Sequence, residues 1–198
     1  MRTQSADFGV TLRHAQCGDA QSNAALAKLG ASLAPSACKL RFRTEVRIST
    51  MSQLIIKTFV YPEVFSEIKS IRESVFQEEQ GVDSALDFDG LDETAEHLLA
   101  YLDTQPVGTA RIRYLERQRA KIERLAVIAT ARGQGIGKKL MEKALEIAAQ
   151  KNVQEVEVHA QEYVRGLYQQ LDFEQEGENF EEASIPHVKM RKRLEQPR

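Results

Sequence analysis

From Leu54 onward the apolar residues of this chain recur with readable periods. Leu54-Ile55-Ile56 is a short apolar run of strand type, and Pro62, whose fixed φ suits a first helical turn, opens a helix. Val64, Phe65, Ile68, Ile71 and Val75 fall on one face of that helix, Glu63 sits at the positive end of its macrodipole, and the helix is expected to end near Gln80-Gly81. Residues 81–96 are polar and acidic without a period and form the one long loop of the domain. A strand over His97–Leu102, a turn at Asp103-Thr104-Gln105-Pro106 and a partner strand over Val107–Leu115 follow. In the partner strand Gly108, Ala110, Ile112 and Tyr114 alternate with Val107, Thr109, Arg111 and Arg113, which predicts a mostly polar outer face. After a charged turn over 116–119 come a fourth strand, Ile122–Ile128, a glycine-rich loop, and a helix with Ile136, Leu140, Met141, Ala144, Leu145, Ile147 and Ala148 on its apolar face. Glu155–Gln161 is the fifth strand.

The first fifty residues read differently. They carry a net charge of +4 while residues 51–198 carry −6, are rich in Ala, Ser and Arg, and hold no sustained period. Residues 1–50 are therefore expected to be a flexible leader that packs poorly on the domain over residues 51–198. Their Arg- and Ser-containing, acid-poor composition fits a transit peptide, and an upstream extension ahead of a start at Met51 fits equally well. A cytoplasmic location is expected, with an organelle as the alternative under the transit-peptide reading. Both cysteines, Cys17 and Cys38, fall in the leader, so the domain can build neither a disulfide framework nor a cysteine metal site, and no metal is expected. With 42% hydrophobic and 28% charged residues the chain has the composition of an ordinary globular protein. No apolar run is long enough to span a bilayer, and a net charge of −2 lacks the basic surplus of a phosphate-backbone binder; neither membrane nor nucleic acid is expected as a partner.

The chemistry concentrates in Arg132-Gly133-Gln134-Gly135-Ile136-Gly137. Strand, glycine-rich loop and helix together make an anion site, because the first N–H groups of a helix lack internal partners and glycines let a phosphate approach the backbone. Lys138 and Lys139 add positive charge. A Walker loop is excluded: Gly133 to Gly137 is one residue short, and Lys139 stands where a hydroxyl should bind Mg²⁺. A dinucleotide fingerprint is excluded as well, since its last glycine comes one position early and the loop follows four strands. The pattern Arg/Gln-x-x-Gly-x-Gly/Ala is met by Arg132, Gly135 and Gly137.

On that loop, and on the order of elements from Leu54 to Leu194, the chain resembles the GNAT superfamily of N-acetyltransferases. Phe76 with Glu79-Gln80, His97, and Ile185-Pro186-His187 with Met190 resemble the ElaA-like branch. The resemblance implies an α/β (α+β) GNAT fold: a central mixed, mostly antiparallel sheet of about six or seven strands, splayed between strands 4 and 5 and flanked by about four helices. It implies acetyl-CoA as co-substrate, its pyrophosphate on the amides of Gly133, Gln134, Gly135, Ile136, Gly137 and Lys138 beside Arg132. Its pantetheine would pair with Leu125, Ala126 and Val127, and the Val127 amide would be a donor for the developing oxyanion. Two positions depart from the pattern: Ala129 stands where the family often has Pro, and Asp172 where it usually has Gly in Tyr168-Gln169-Gln170-Leu171-Asp172-Phe173. Asp tolerates the left-handed conformation that a helix end there needs.

Tyr168 matches the family tyrosine that protonates the departing thiolate, the alternative being a core tyrosine beside Leu167 and Leu171. For the base, Glu123 is the candidate: period two places it on the face of Leu125 and Val127, while pairing with Arg111 or Arg113 is the competing reading. His97 and His187 are weaker candidates for the acceptor side, each at a strand start. Of the pair sharing a face of the fifth strand, Gln161 is taken as a cofactor contact and His159 as solvated. Asp83, Asp87, Asp89, Asp92, Glu93 and Glu96, with Glu174, Glu176, Glu178, Glu181 and Glu182, either draw a cationic amine to the site or form a solvated acidic face.

The expected activity is an acyltransferase reaction, transfer of acetyl to the primary amine of a small molecule or peptide by direct attack, since no cysteine follows Met51 to carry the acyl group. A non-catalytic acyl-CoA-binding or sensing module is the alternative. Either a monomer or a homodimer is compatible with the sequence.

Overall fold

A computed structural model describes residues 52–116 and 118–195; the expectations for residues 1–50 lie outside them. Eight strands form one sheet in the order β1-β2-β3-β4-β5-β8-β6, with β7 pairing on β8. The strands are β1 Leu54–Val60, β2 Glu96–Leu102, β3 Gln105–Leu115, β4 Arg119–Val127, β5 Glu155–Gln161, β6 Glu174–Gln175, β7 Phe180–Glu182 and β8 Ile185–Arg193. This is the expected mixed, mostly antiparallel sheet. It is wider than six or seven strands because β6 and β7, of two and three residues, are too short to show a period. The helices are α1 Phe65–Arg72, α2 Ser84–Asp87, α3 Ile136–Gln150 and α4 Arg165–Gln169.

The helix predicted from Pro62 to Gln80 takes three geometries: a 3₁₀ turn Tyr61–Glu63, a bend at Val64, then α1 running on into a π-helical stretch Glu73–Glu79. Val64, Ile68, Ile71 and Val75 are buried as the period predicts, whereas Phe65 stays exposed. They pack with Leu99 and Ala126 on one face of the sheet. The larger core lies on the other face, where Leu140, Met141 and Ala144 of α3 meet Leu98, Ile112 and Val156 of the strands. Each large side chain buried there stabilises the fold by roughly 1.5–3 kcal/mol relative to exposure. Asp172 ends α4 at φ 59°, with Phe173 N–H bonded to Tyr168 O at 3.0 Å, so the residue replacing glycine performs the helix stop.

Two expectations fail together. The outer face of β3 is not solvent-facing: Thr109 and Arg111 are buried. The acidic loop is not simply a solvated face, because it folds onto β3 and delivers Asp87 and Asp92, both buried, and Asp89 to arginines, while Asp83 and Glu93 stay exposed. Arg72 of α1 donates from Nε to Asp87 Oδ1 at 2.9 Å and from NH1 to Asp92 Oδ1 at 2.7 Å, with Phe88 stacked on its guanidinium. Arg111 donates to Asp89 at 2.8 Å through each terminal nitrogen, to Asp92 at 3.0 Å and to Glu123 at 3.0 Å. Arg124 of β4 reaches back to Leu86 O at 2.7 Å, Asp87 O at 3.1 Å and Asp89 at 3.1 Å. A charge taken from water needs several such partners, and here each guanidinium has them.

Removing one member leaves buried carboxylates short of a charged partner. Arg72→Leu is expected to cost about 3–5 kcal/mol of unfolding free energy in a urea titration. The network also sets an acid limit. For both Asp89 and Glu123 burial acts to raise the pKa, but Arg111 outweighs it, and both carboxyls lie below their ordinary values of 3.8 and 4.5. A carboxylate depressed on folding gives stability that is full above its unfolded pKa and is lost as pH falls toward the folded one. The chain is expected to hold its stability down to about pH 5 and lose it progressively below the 3.8–4.5 window, measured by urea midpoints across pH.

Candidate active site

β4 and β5 run parallel for three pairs only, Arg119↔Glu155, Ala120↔Val156 and Lys121↔Glu157. Beyond Lys121 they part, while β5 stays paired to β8 through Gln161↔His187. A bulge makes β4 turn away. The β3–β4 register shifts between Thr109↔Ala126 and Arg111↔Glu123, and Arg124 stands at φ 54°, a left-handed conformation that costs a non-glycine residue roughly 1–2 kcal/mol. The three bonds from Arg124 to the acidic loop hold it there.

The bulge corrects the period-two reading of β4. Ala126 and Glu123 face Thr109 and Arg111, so Glu123 shares a face with Ala126, not with Leu125 and Val127. Leu125 and Val127 pack toward the α3 core, on the opposite face. Ile128 N–H bonds to Val107 O at 3.0 Å, so by the alternation of a strand the Val127 peptide group points the other way, into the gap. There the Val127 carbonyl accepts from Arg132 Nε at 2.9 Å.

The gap opens into a cleft of about 660 Å³. At one end Gly133 and Gly135 stand at φ 77° and 75°, and α3 begins with Gly135 at its N-cap, where no side chain caps the helix. Lys139 N–H to Gly135 O at 3.1 Å is the first bond of the helix, and the amides of 133–138 have no backbone acceptor among the described residues. Six unpartnered donors at the positive end of a fifteen-residue helix suit a phosphate. Arg132 is engaged elsewhere: its terminal nitrogens each donate to Glu79 at 2.6 Å, tying the loop to the π-helical stretch. Gln161 donates to Gln80 Oε1 at 2.9 Å across the same opening.

Of the residues singled out from the sequence, Glu123, Leu125, Ala126, Val127, Arg132, Gly133, Gly135, Ile136, Gly137, Lys138, Gln161, Tyr168 and His187 line the cleft. Gln134 is exposed and does not, and His97 lies away from it, buried against Tyr61 with Nε2 2.9 Å from Asp92 O. Burial holds the His97 pKa below the ordinary value.

Tyr168 is buried, packed edge-on to Phe173, and its hydroxyl has no hydrogen-bond partner among the described residues. Burial, with the charge of Tyr163, raises its pKa well above 10, so it is protonated throughout the physiological range. Glu123 takes the ion-paired arrangement, held by Arg111, by Lys121 at 3.2 Å and by Arg113 at 3.3 Å, and its lowered pKa keeps it charged.

Sequence reasoning missed His159, which is not simply solvated. It lines the cleft, its Nδ1 lies 2.8 Å from Glu182 Oε2 and 3.4 Å from Lys121 Nζ, and Phe180 packs edge-on against its ring. No period could reveal this, because Glu182 arrives on a three-residue strand.

At Gly135 a Cβ would meet nothing within 4 Å, so the cost of Gly135→Ala lies in its φ alone. The variant is expected to lose about 1–2 kcal/mol of stability by urea titration.

These features belong to a known family. An acetyltransferase (GNAT) domain model matches residues 61–194. The protein YyaT of Bacillus subtilis (strain 168) is 37% identical over 131 residues, which span 65% of this chain and 88% of YyaT. The crystal structure of Escherichia coli ElaA superposes with a TM-score of 0.64 at 27% identity, over 70% of this chain and 99% of ElaA. An acyl-CoA N-acyltransferase from Pseudomonas aeruginosa superposes with a TM-score of 0.60, also at 27% identity, over 71% of this chain and 98% of its own. With a family model matched over more than half its length, a parallel β4–β5 pair that splays, and an uncapped glycine loop at the mouth of the gap, the chain belongs to the GNAT acetyltransferase family.

Proposed function

We propose that the protein is an acetyl-CoA-dependent N-acetyltransferase that moves acetyl to a primary amine of a small molecule or peptide by direct attack. The observation that carries this reading is the gap beside β4, into which the Val127 peptide group points, opening at one end onto the unpartnered amides of 133–138. The fit is chemical: amides with no acceptor suit a pyrophosphate, and a strand edge without a neighbour suits the amide groups of a pantetheine arm. Acetyl-CoA supplies an acyl group activated as a thioester.

The chain's own residues do the rest. The amides from Gly133 to Lys138 hold the phosphates, with the Lys138 ammonium adding charge; the Arg132 guanidinium, committed to Glu79, braces the loop. Leu125 and Val127 offer the free strand edge, and the Val127 N–H stabilises negative charge that builds on the acyl oxygen. Tyr168 gives its proton to the departing thiolate; burial disfavours a lasting phenolate, but it also disfavours an unprotonated thiolate beside it. Glu123 acts through its fixed charge: a carboxylate held ionised by three cations is a poor proton acceptor near neutral pH.

Thiol release from acetyl-CoA by the full chain is the test, run against polyamines, amino sugars, a lysine peptide and a free peptide N-terminus. Turnover that requires an amine, and falls at least tenfold in Tyr168→Phe with the KM for acetyl-CoA within twofold, is expected. Tight binding of acetyl-CoA without turnover on any amine would instead make the domain a sensor.

A further inference from the structure

On β5 the buried Val156, Val158 and Ala160 alternate with Glu157, His159 and Gln161. Lys121↔Glu157 is the last β4–β5 pair, so His159 is the first β5 residue on its face beyond the point where the strands part. That face carries Lys121 and Gln161; the other, with Val158 and Ala160, carries Tyr168. The two side chains line one cleft from opposite sides of the sheet.

The surroundings of the imidazole select its tautomer. Glu182 Oε2, 2.8 Å from Nδ1, can only accept, so Nδ1 carries the proton; Lys121 Nζ, at 3.4 Å from Nδ1, is turned to Glu123 at 3.2 Å. Nε2 then bears the lone pair, and it has no hydrogen-bond partner among the described residues. An imidazole held by a carboxylate at Nδ1 and open at Nε2 is the arrangement of a general base. The fold accepts strain to build it. Glu182 reaches the cleft wall through a two-residue turn to β8 in which Ala183 and Ser184 both stand at positive φ, 51° and 59°, where glycine or asparagine is the favoured occupant. Phe180 completes the support, edge-on to His159 at 5.0 Å and stacked on His187 at 5.9 Å.

We propose that His159 Nε2 takes the proton of the acceptor amine, and that Glu182 is the positioning residue that holds it in the competent tautomer. The inference rests on the transferase reading above. The neutral amine attacks the thioester carbonyl, a C–N bond forms and the C–S bond breaks. One proton leaves nitrogen for His159 Nε2, one leaves Tyr168 for the thiolate, and solvent returns the first to the tyrosine. The charged or titratable groups facing the imidazole are Lys121 from β4, Glu182 from β7, and Lys189 and His187 from β8; Lys189, opposite His159 in register, is directed at Glu157 and Glu176.

Nitrogen NMR on histidine-labelled full chain, with His159 assigned by substitution, is expected to show the Nδ1–H tautomer in wild type and loss of that preference in Glu182→Gln. A predominant Nε2–H tautomer in wild type overturns the proposal whatever the kinetics. In thiol release with acetyl-CoA and the amine panel, His159→Asn keeps a donor where Nδ1 was and removes Nε2. It is expected to lower kcat at least a hundredfold with the KM for acetyl-CoA unchanged. Glu182→Gln is expected to lower kcat about tenfold together with the tautomer preference, which a merely structural role would leave in place. Wild-type turnover that His159→Asn leaves within threefold overturns the base and spares the transferase reading, whereas no wild-type turnover with any amine overturns that reading and the base with it.

Discussion

Three guanidinium groups anchor this domain, those of Arg72 and Arg111 buried and that of Arg124 half-buried, and each is held by carboxylates from elsewhere in the chain. Arg72 comes from α1, Arg111 from the middle of β3 and Arg124 from β4, while Asp87, Asp89 and Asp92 come from the loop after the π-helical stretch and Glu123 from β4. Hydrophobic burial would let α1 slide on the sheet, because apolar contacts carry little direction. Fork-to-carboxylate bonds do not slide. The network therefore fixes helix, loop and strand in one geometry. It also holds Arg124 at a positive φ, where the bulge turns β4 away from β5. The cleft exists because that turn is held.

Opening a parallel pair leaves strand edges without partners, and the molecule treats its two edges differently. β5 keeps β8 on its other side through Gln161↔His187, so it stays straight and offers alternate side chains to the gap. β4 keeps β3, and beyond the bulge it offers the Val127 peptide group. One wall of the gap is backbone and the other is side chain. A backbone wall suits a long amide-bearing arm with no demand on its identity; a side-chain wall, with His159, Gln161 and Glu182, is where a second substrate would be told apart.

Much of this was legible in the sequence, and the reason differs element by element. The face of α3 that begins Ile136, Leu140, Met141, Ala144 repeats at helical spacing over fifteen residues, long enough for the period to decide. The glycines at 133 and 135 announced their positive φ by being glycines. What stayed hidden shares a cause: the information lies in a partner far along the chain. Thr109 and Arg111 read as an outer face because their cover comes from α1 and the loop over 81–96. The loop read as surface because acidity resembles solvation until the arginines are placed. The bulge at Arg124 broke the alternation on which Glu123 had been assigned, and a non-glycine residue at φ 54° carries no signature. Of the site, the glycine loop at the start of α3 was legible and the side-chain wall was not, because Glu182 depends on a turn that its residue types disfavour.

The placement of Tyr168 and His159 on opposite faces of the sheet has a consequence for order of events. In the proposed direct transfer no cysteine after Met51 carries the acyl group, and amine and thioester are present together. With the proposed donor Tyr168 on the α3 side and the proposed acceptor His159 on the α1 side, the proton leaves nitrogen in one direction while another reaches sulfur from the other. Neither group then competes for the same space, and the gap between β4 and β5 need hold only the carbonyl between them. The burial that raises the tyrosine serves the same division: a phenol that stays protonated across the physiological range cannot act as the base, so the two roles cannot be exchanged.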